Sequence, residues 1–179
     1  MKETKIELNK GNLLTLSVLA IVMALVAIFF IILTLQERDK TIYFIINLGL
    51  GSIGVLFFGG GALFLLQKYQ DKEPGLIINE KGIFDNSSFI SLGFIAWADM
   101  DTITELTVKG QHFIRVKMKN PKKYTQKTKA PLKRMFLVLN SRFYGSPIQI
   151  SANSLKARHQ VVFQLIQSGL DEYRSLQPS

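Results

Sequence analysis

The sequence predicts a two-helix membrane hairpin followed by an α+β domain of antiparallel strands and two helices. Three observations predict it. Uncharged apolar runs dominate residues 13–66, short alternating runs separated by turn residues follow from residue 76, and two later segments carry apolar residues at helical spacing. The 179 residues are 47% hydrophobic, yet the formal net charge is +9. A soluble domain rarely combines these, so apolar and basic residues must occupy different stretches. The absence of cysteine excludes a disulfide scaffold, a thiolate metal site and a cysteine nucleophile.

A segment at 1–12 precedes the first span, Leu13 to Leu35, and a loop at 36–41 leads to the second, Ile42 to Leu66. At about 1.5 Å per residue, each run can cross a hydrocarbon core of about 30 Å. The first run exceeds a signal-peptide core of about 7–15 residues and lacks a small-residue cleavage site, so it is expected to remain as an anchor. The short loop makes the pair a tight antiparallel hairpin. Ser17, Ala20, Ala24 and Ala27 form a small-residue stripe expected to pack on the second run's glycines, at 49, 51, 54 and 59–61. Tyr43 and Tyr69 stand where interfacial aromatics belong. Lys2, Lys5 and Lys10 before the hairpin and Lys68, Lys72 and Lys81 after it outnumber Arg38 and Lys40 in the loop. This predicts a multi-pass protein of the cell (cytoplasmic) membrane with both termini inside. Gly49 to Gly54 matches G-x-G-x-x-G, but a nucleotide site needs a preceding strand and exposure, which a membrane span denies.

Residues 67–75 read as a linker, 76–174 as a cytosolic domain and 175–179 as a tail. Leu76 to Asn79 and Ile83 to Asp85 flank a Glu80-Lys81-Gly82 hairpin turn. Ile90, Leu92, Phe94 and Ala96 alternate as in a strand with one buried face. Residues 102–108 and 114–118 read as two more strands, and 146–151 as another. Leu132, Met135, Phe136, Leu139 and Phe143 recur at helical spacing between Pro131 and Gly145, which predicts a basic amphipathic helix over 131–143, with a strand as the alternative. A last helix, capped by Asn153 or Ser154, presents Leu155, Val162, Leu165, Ile166 and Leu170.

No catalytic or metal-ligating constellation is legible. His112 and His159 are read as separate packed or surface residues, and Asp99, Asp101 and Glu105 as surface carboxylates. Trp97, the single tryptophan, is expected in the core. A non-enzymatic protein without metal or cofactor is therefore expected. The strongest clue is charge: residues 71–105 have a net charge of −5, whereas 106–170 hold thirteen basic residues and no acidic one. Lys122, Lys123, Lys127, Lys129, Lys133 and Arg134 are the candidate contacts to a membrane surface or partner.

Four motifs carry a family resemblance: residues 74–88 (PGLIINEKGIFDNSS), 93–100 (GFIAWADM), 119–124 (KNPKKY) and 144–155 (YGSPIQISANSL). Across nearly the whole chain they resemble an uncharacterised family of two-span bacterial membrane proteins with a cytosolic pleckstrin-homology-like domain. The resemblance implies a strongly bent antiparallel sheet closed by a C-terminal helix. A helix at 131–143 departs from it, because such domains have strands there. It implies no activity and no catalytic residue.

The function expected is membrane-anchored binding or scaffolding, with the basic domain against the lipid bilayer and its anionic headgroups. One alternative is a protein-interaction module that takes an unidentified membrane or cytosolic partner on the bent sheet. Another is a bacterial self-protection or stress role. Nucleic acid is not an expected partner, because the chain carries no recognised binding motif.

Overall fold

The structure, a computed structural model, describes residues 2–36, 42–108 and 110–177, with the backbone alone at Lys127. The expected loop cations Arg38 and Lys40 lie outside the described residues. Two compact units emerge: residues 10–71, and residues 72–179 together with the N-terminal residues up to 9.

The first unit is a helical pair, α1 (Lys10–Gln36) and α2 (Ile42–Gln70). Both helices are long and apolar enough to span a membrane. Along α1 the less exposed positions are Leu13, Ser17, Ala20, Ala24, Ala27, Ile31 and Thr34, alternately four and three residues apart. That mean repeat of 3.5 is the seam of left-handed helix packing. The expected small-residue stripe is thus the contact face, but only part of the glycine set meets it. A Cβ at Gly51 would lie 2.5 Å from Ile31 Cγ1, and one at Gly54 3.1 Å from Ala27 Cβ. Gly49, Gly59, Gly60 and Gly61 have nothing so near. The hydroxyls of Ser17, Thr34 and Ser52 donate to carbonyls of their own helix, so they need no water. Lys10 Nζ donates to the carbonyls of Tyr69 at 2.6 Å and of Asp71, satisfying orphan acceptors at the end of α2.

The second unit holds two antiparallel sheets. One has the order β1 (Thr4–Ile6), β2 (Leu76–Asn79), β3 (Gly82–Asp85), β4 (Gly93–Ala96). The other has β5 (Met100–Val108), β6 (Gln111–Met118), β7 (Ile148–Ser151). Between β6 and β7 lie α3 (Pro121–Lys127) and α4 (Pro131–Tyr144), and α5 (His159–Ser175) follows β7. The core joins both sheets to α5 through Ile78, Ile95, Ile114, Val116, Ile150, Val162 and Ile166. Trp97 is fully buried there, and its Nε1 donates to the Asn79 carbonyl at 2.9 Å.

Three elements differ from the sequence reading. First, residues 4–9 belong to the sheet unit although the hairpin separates them from it in the chain. Ile6 pairs with Leu76, Leu8 bridges to Leu155, and backbone bonds run from Asn9 N to Ser154 O and from Lys156 N to Glu7 O. The short N-terminal segment thereby ties the two sheets together. Second, that tie occupies residues 154–156, so the last helix begins only at His159 and Leu155 is a core plug rather than part of the helix face. Third, β4 starts at Gly93, because Asp85 and Ser87, and then Ser88 and Ser91, bond within the preceding loop. Its buried side chain is Ile95, whereas Phe94 is exposed and Leu92 packs only partly against the core, so the alternating set does not make the expected buried face.

Candidate functional site

Pro121 opens α3 at its first turn, where its missing N–H leaves no bond unmade. One turn of α3 brings Lys123 and Tyr124 onto Asp99, which sits in a short 3-10 turn after β4. Lys123 Nζ lies 2.7 and 2.6 Å from the two Asp99 oxygens, and the Tyr124 hydroxyl donates to Oδ2 at 2.7 Å. The Tyr124 hydroxyl is pushed up to about 12, first by burial and then by the hydrogen bond and charge of Asp99. The cluster pins α3 to β4.

Of the six candidate cations, Lys123 therefore has a structural partner. Lys122, Lys129 and Arg134 are exposed, Lys133 is half-buried, and the Lys127 side chain lies outside the described residues. Lys123, Lys129 and Lys133 line a cleft of about 520 Å³ floored by Leu92, Phe94 and Ala96. Phe94 and Ala96 of β4, with Leu92 just before it, thus face a cleft whose lysines share it with the Asp99 carboxylate.

Helix α4 follows. Gly145 terminates it in the left-handed conformation, at φ 71°, with its N–H bonded to Ser141 O. Arg115 on β6 donates to the Tyr144 carbonyl at 3.0 Å, which holds this end to the sheet. Phe136 meets Phe89 edge to face at 6.4 Å between ring centroids. Yet Leu137 is the one described α4 residue fully buried, while Leu132, Met135, Phe136, Val138, Leu139 and Phe143 are exposed, Phe143 to 70%. At 3.6 residues per turn, Leu132, Met135, Phe136, Leu139 and Phe143 share one face, and Lys133, Leu137, Asn140 and Tyr144 share the inward one. The helix is inside out relative to a globular surface helix. A shallow groove of about 410 Å³ runs along its outer side between Arg134, Lys129, Met135, Val138 and Leu139. The helical spacing marks these residues in the sequence, but nothing there says that the face stays uncovered.

The remaining polar residues resolve differently than expected in one respect. His112 and His159 do come together, with ring centroids 5.5 Å apart, because the β5–β6 hairpin brings His112 to the start of α5. His159 bonds Glu105 at 2.9 Å, and His112 bonds Thr107 at 3.1 Å. Asp99 goes to Lys123 and Tyr124, whereas Glu105 goes to His159. No family model, no curated protein and no solved structure matches the chain.

Proposed function

We propose that this is a non-enzymatic, membrane-anchored binding or scaffold protein whose basic domain contacts the anionic surface of the bilayer that holds it. On this reading α1 and α2 are the spans, the domain is pleckstrin-homology-like, and both termini face the cytoplasm of a bacterial cell. The pairing of β1 with β2 supports one side for both ends, because a single folded sheet takes in the chain on either side of the hairpin. Among the described residues, seven antiparallel strands followed by a C-terminal helix support the pleckstrin-homology likeness, with α3 and α4 inserted before the last strand.

One observation carries the surface contact: exposed Lys122, Lys129 and Arg134 on a segment free of acidic residues, in a chain with two membrane-length helices. Each such cation near an anionic leaflet contributes about 1 kcal/mol, within a Debye length of about 8–10 Å. The cysteine-free chain permits a clean test in its full length, reconstituted in nanodiscs. A fluorophore on Lys122→Cys should be less open to an aqueous quencher in anionic than in zwitterionic bilayers. A fluorophore on Glu80→Cys, in the β2–β3 turn outside the basic segment, should not differ. Replacing the other five cations by Gln, or raising salt to about 1 M, should abolish the difference. Equal quenching at Lys122→Cys in both bilayers would overturn the proposal.

The cleft over β4 favours a second reading, in which a partner peptide docks on its apolar floor. Co-purification of a stoichiometric partner that Phe94→Asp abolishes would support that reading; a chain isolated alone under gentle conditions counts against it.

A further inference from the structure

The outward face of α4 needs an occupant. Leu132, Met135, Phe136, Leu139 and Phe143 form an exposed apolar stripe on a helix of 14 residues. Contiguous exposure of this kind on one element marks a docking surface rather than scattered surface hydrophobics. We infer that α4 is an in-plane membrane helix, which buries this stripe at the headgroup–acyl boundary of the bilayer that anchors the chain. The inference rests on the membrane-surface reading and goes further, from electrostatic contact to apolar insertion.

Three observations select lipid over another occupant. Exposed Arg142 stands at the edge of the stripe beside Met135 and Leu139, with Lys129 just before the helix, which suits an apolar face lowered between anionic headgroups. Long basic side chains at such flanks keep their stems in the apolar layer and their charges at the phosphates. Secondly, a second copy is disfavoured by charge: residues 106–170 carry thirteen cations and no anion, so two α4 faces would meet with like charge around them. Thirdly, the unit that carries α4 is joined to the two candidate spans by residues 7–9 and 71–75 alone. Five residues reach at most about 18 Å. The bilayer is therefore presented to the unit at high effective concentration, and a weakly binding helix suffices. Helix α4 is also lightly held by its own unit, with Leu137 as its one fully buried apolar side chain.

The test is depth measurement on the full chain in anionic nanodiscs. Spin labels are placed at Leu132→Cys and Phe143→Cys on the stripe and at Arg134→Cys off it, all exposed positions where a label fits the fold. Collision with oxygen, which concentrates in lipid, is compared with collision with a water-soluble nickel chelate. The expected result is a several-fold higher oxygen-to-nickel ratio at 132 and 143 than at 134. A water-like ratio at all three positions overturns the inference. So does spin–spin broadening at 143 that disappears on dilution with unlabelled chain, since a second copy then covers the stripe. The two layers of the argument fail separately. Anionic-dependent protection at Lys122→Cys with a water-like Phe143→Cys removes insertion and leaves surface contact. A lipid-like Phe143→Cys with no dependence on anionic lipid at Lys122→Cys removes the electrostatic contact and leaves insertion.

Discussion

Helices α4 and α5 make an instructive pair. Both are amphipathic and both belong to the same folded unit. Helix α5 buries Val162, Ile166 and Leu170 and packs against β2, β5 and β6. Helix α4 turns its richer apolar face outward and sends Lys133, Asn140 and Tyr144 inward beside Leu137. On that inner side Asn140 Nδ2 and Ser141 Oγ are buried without a hydrogen-bond partner, which weakens the docking further. The pair shows that helical amphipathicity specifies a face that must leave water, while the rest of the fold specifies what covers it. For α5 the cover is the protein's own core. For α4 it lies outside the unit.

The largest expected effect separates the two helices directly. Ile166→Ala should lower the unfolding free energy by about 2–5 kcal/mol, because it leaves a cavity at the junction of both sheets. Phe143→Ala, at a 70% exposed position, should stay within about 0.5 kcal/mol. Denaturant unfolding of the full chain in detergent, followed by the emission of buried Trp97, measures both. Equal losses would break the comparison.

Leu8→Ala comes next, at about 2–3 kcal/mol by the same measurement. Leu8 is 1% exposed and bridges to Leu155, which belongs to the core that α5 covers. A loss near zero would show that the N-terminal segment is no part of that core. The same packing implies that a fragment beginning after the hairpin lacks β1 and exposes the Leu155 contact.

The smallest effect concerns how α3, the element before α4, is held. Tyr124 titrates near 12 in the folded protein against an ordinary value of 10.0, so it stays neutral while the unfolded chain loses its proton. The stability it contributes is complete below pH 10 and is lost as pH rises toward 12. Asp99→Asn removes the carboxylate charge and should move the Tyr124 titration back toward its ordinary value, read from tyrosinate absorbance. An unchanged titration would mean that burial alone sets it. The Asp99–Lys123 pair itself is partly exposed and should contribute little to stability at neutral pH.

Much of the architecture was legible from residue pattern. Apolar length gave the two helices of the hairpin, Glu80-Lys81-Gly82 gave the β2–β3 turn, and Ile114, Val116 and Met118 gave the buried face of β6. Pro131 and Gly145 bracketed α4 within a residue or two. Other features depended on partners far away in sequence. Thr4–Ile6 is too short to read as a strand without knowing that β2 offers an edge to it. The phase of β4 depends on its neighbours, since Ile95 is its buried side chain although Leu92, Phe94 and Ala96 alternate as cleanly as a core face. The candidate cations could be named but not sorted, since only folding brings Lys123 to Asp99 and leaves Lys122 and Arg134 outside.

Residue pattern alone sets the uneven distribution of matter along the chain. It placed two helices of membrane length first, an acidic strand region next and an acid-free basic segment after that, because composition and periodicity are local properties. Tertiary structure alone decided three things. It recruited residues 4–9 across the hairpin into the sheets, joined His112 to His159, and chose which amphipathic helix the core would cover. Each is a contact between segments more than 40 residues apart, and such pairings are set by the competition of whole faces for one core rather than by the pattern within any one of them.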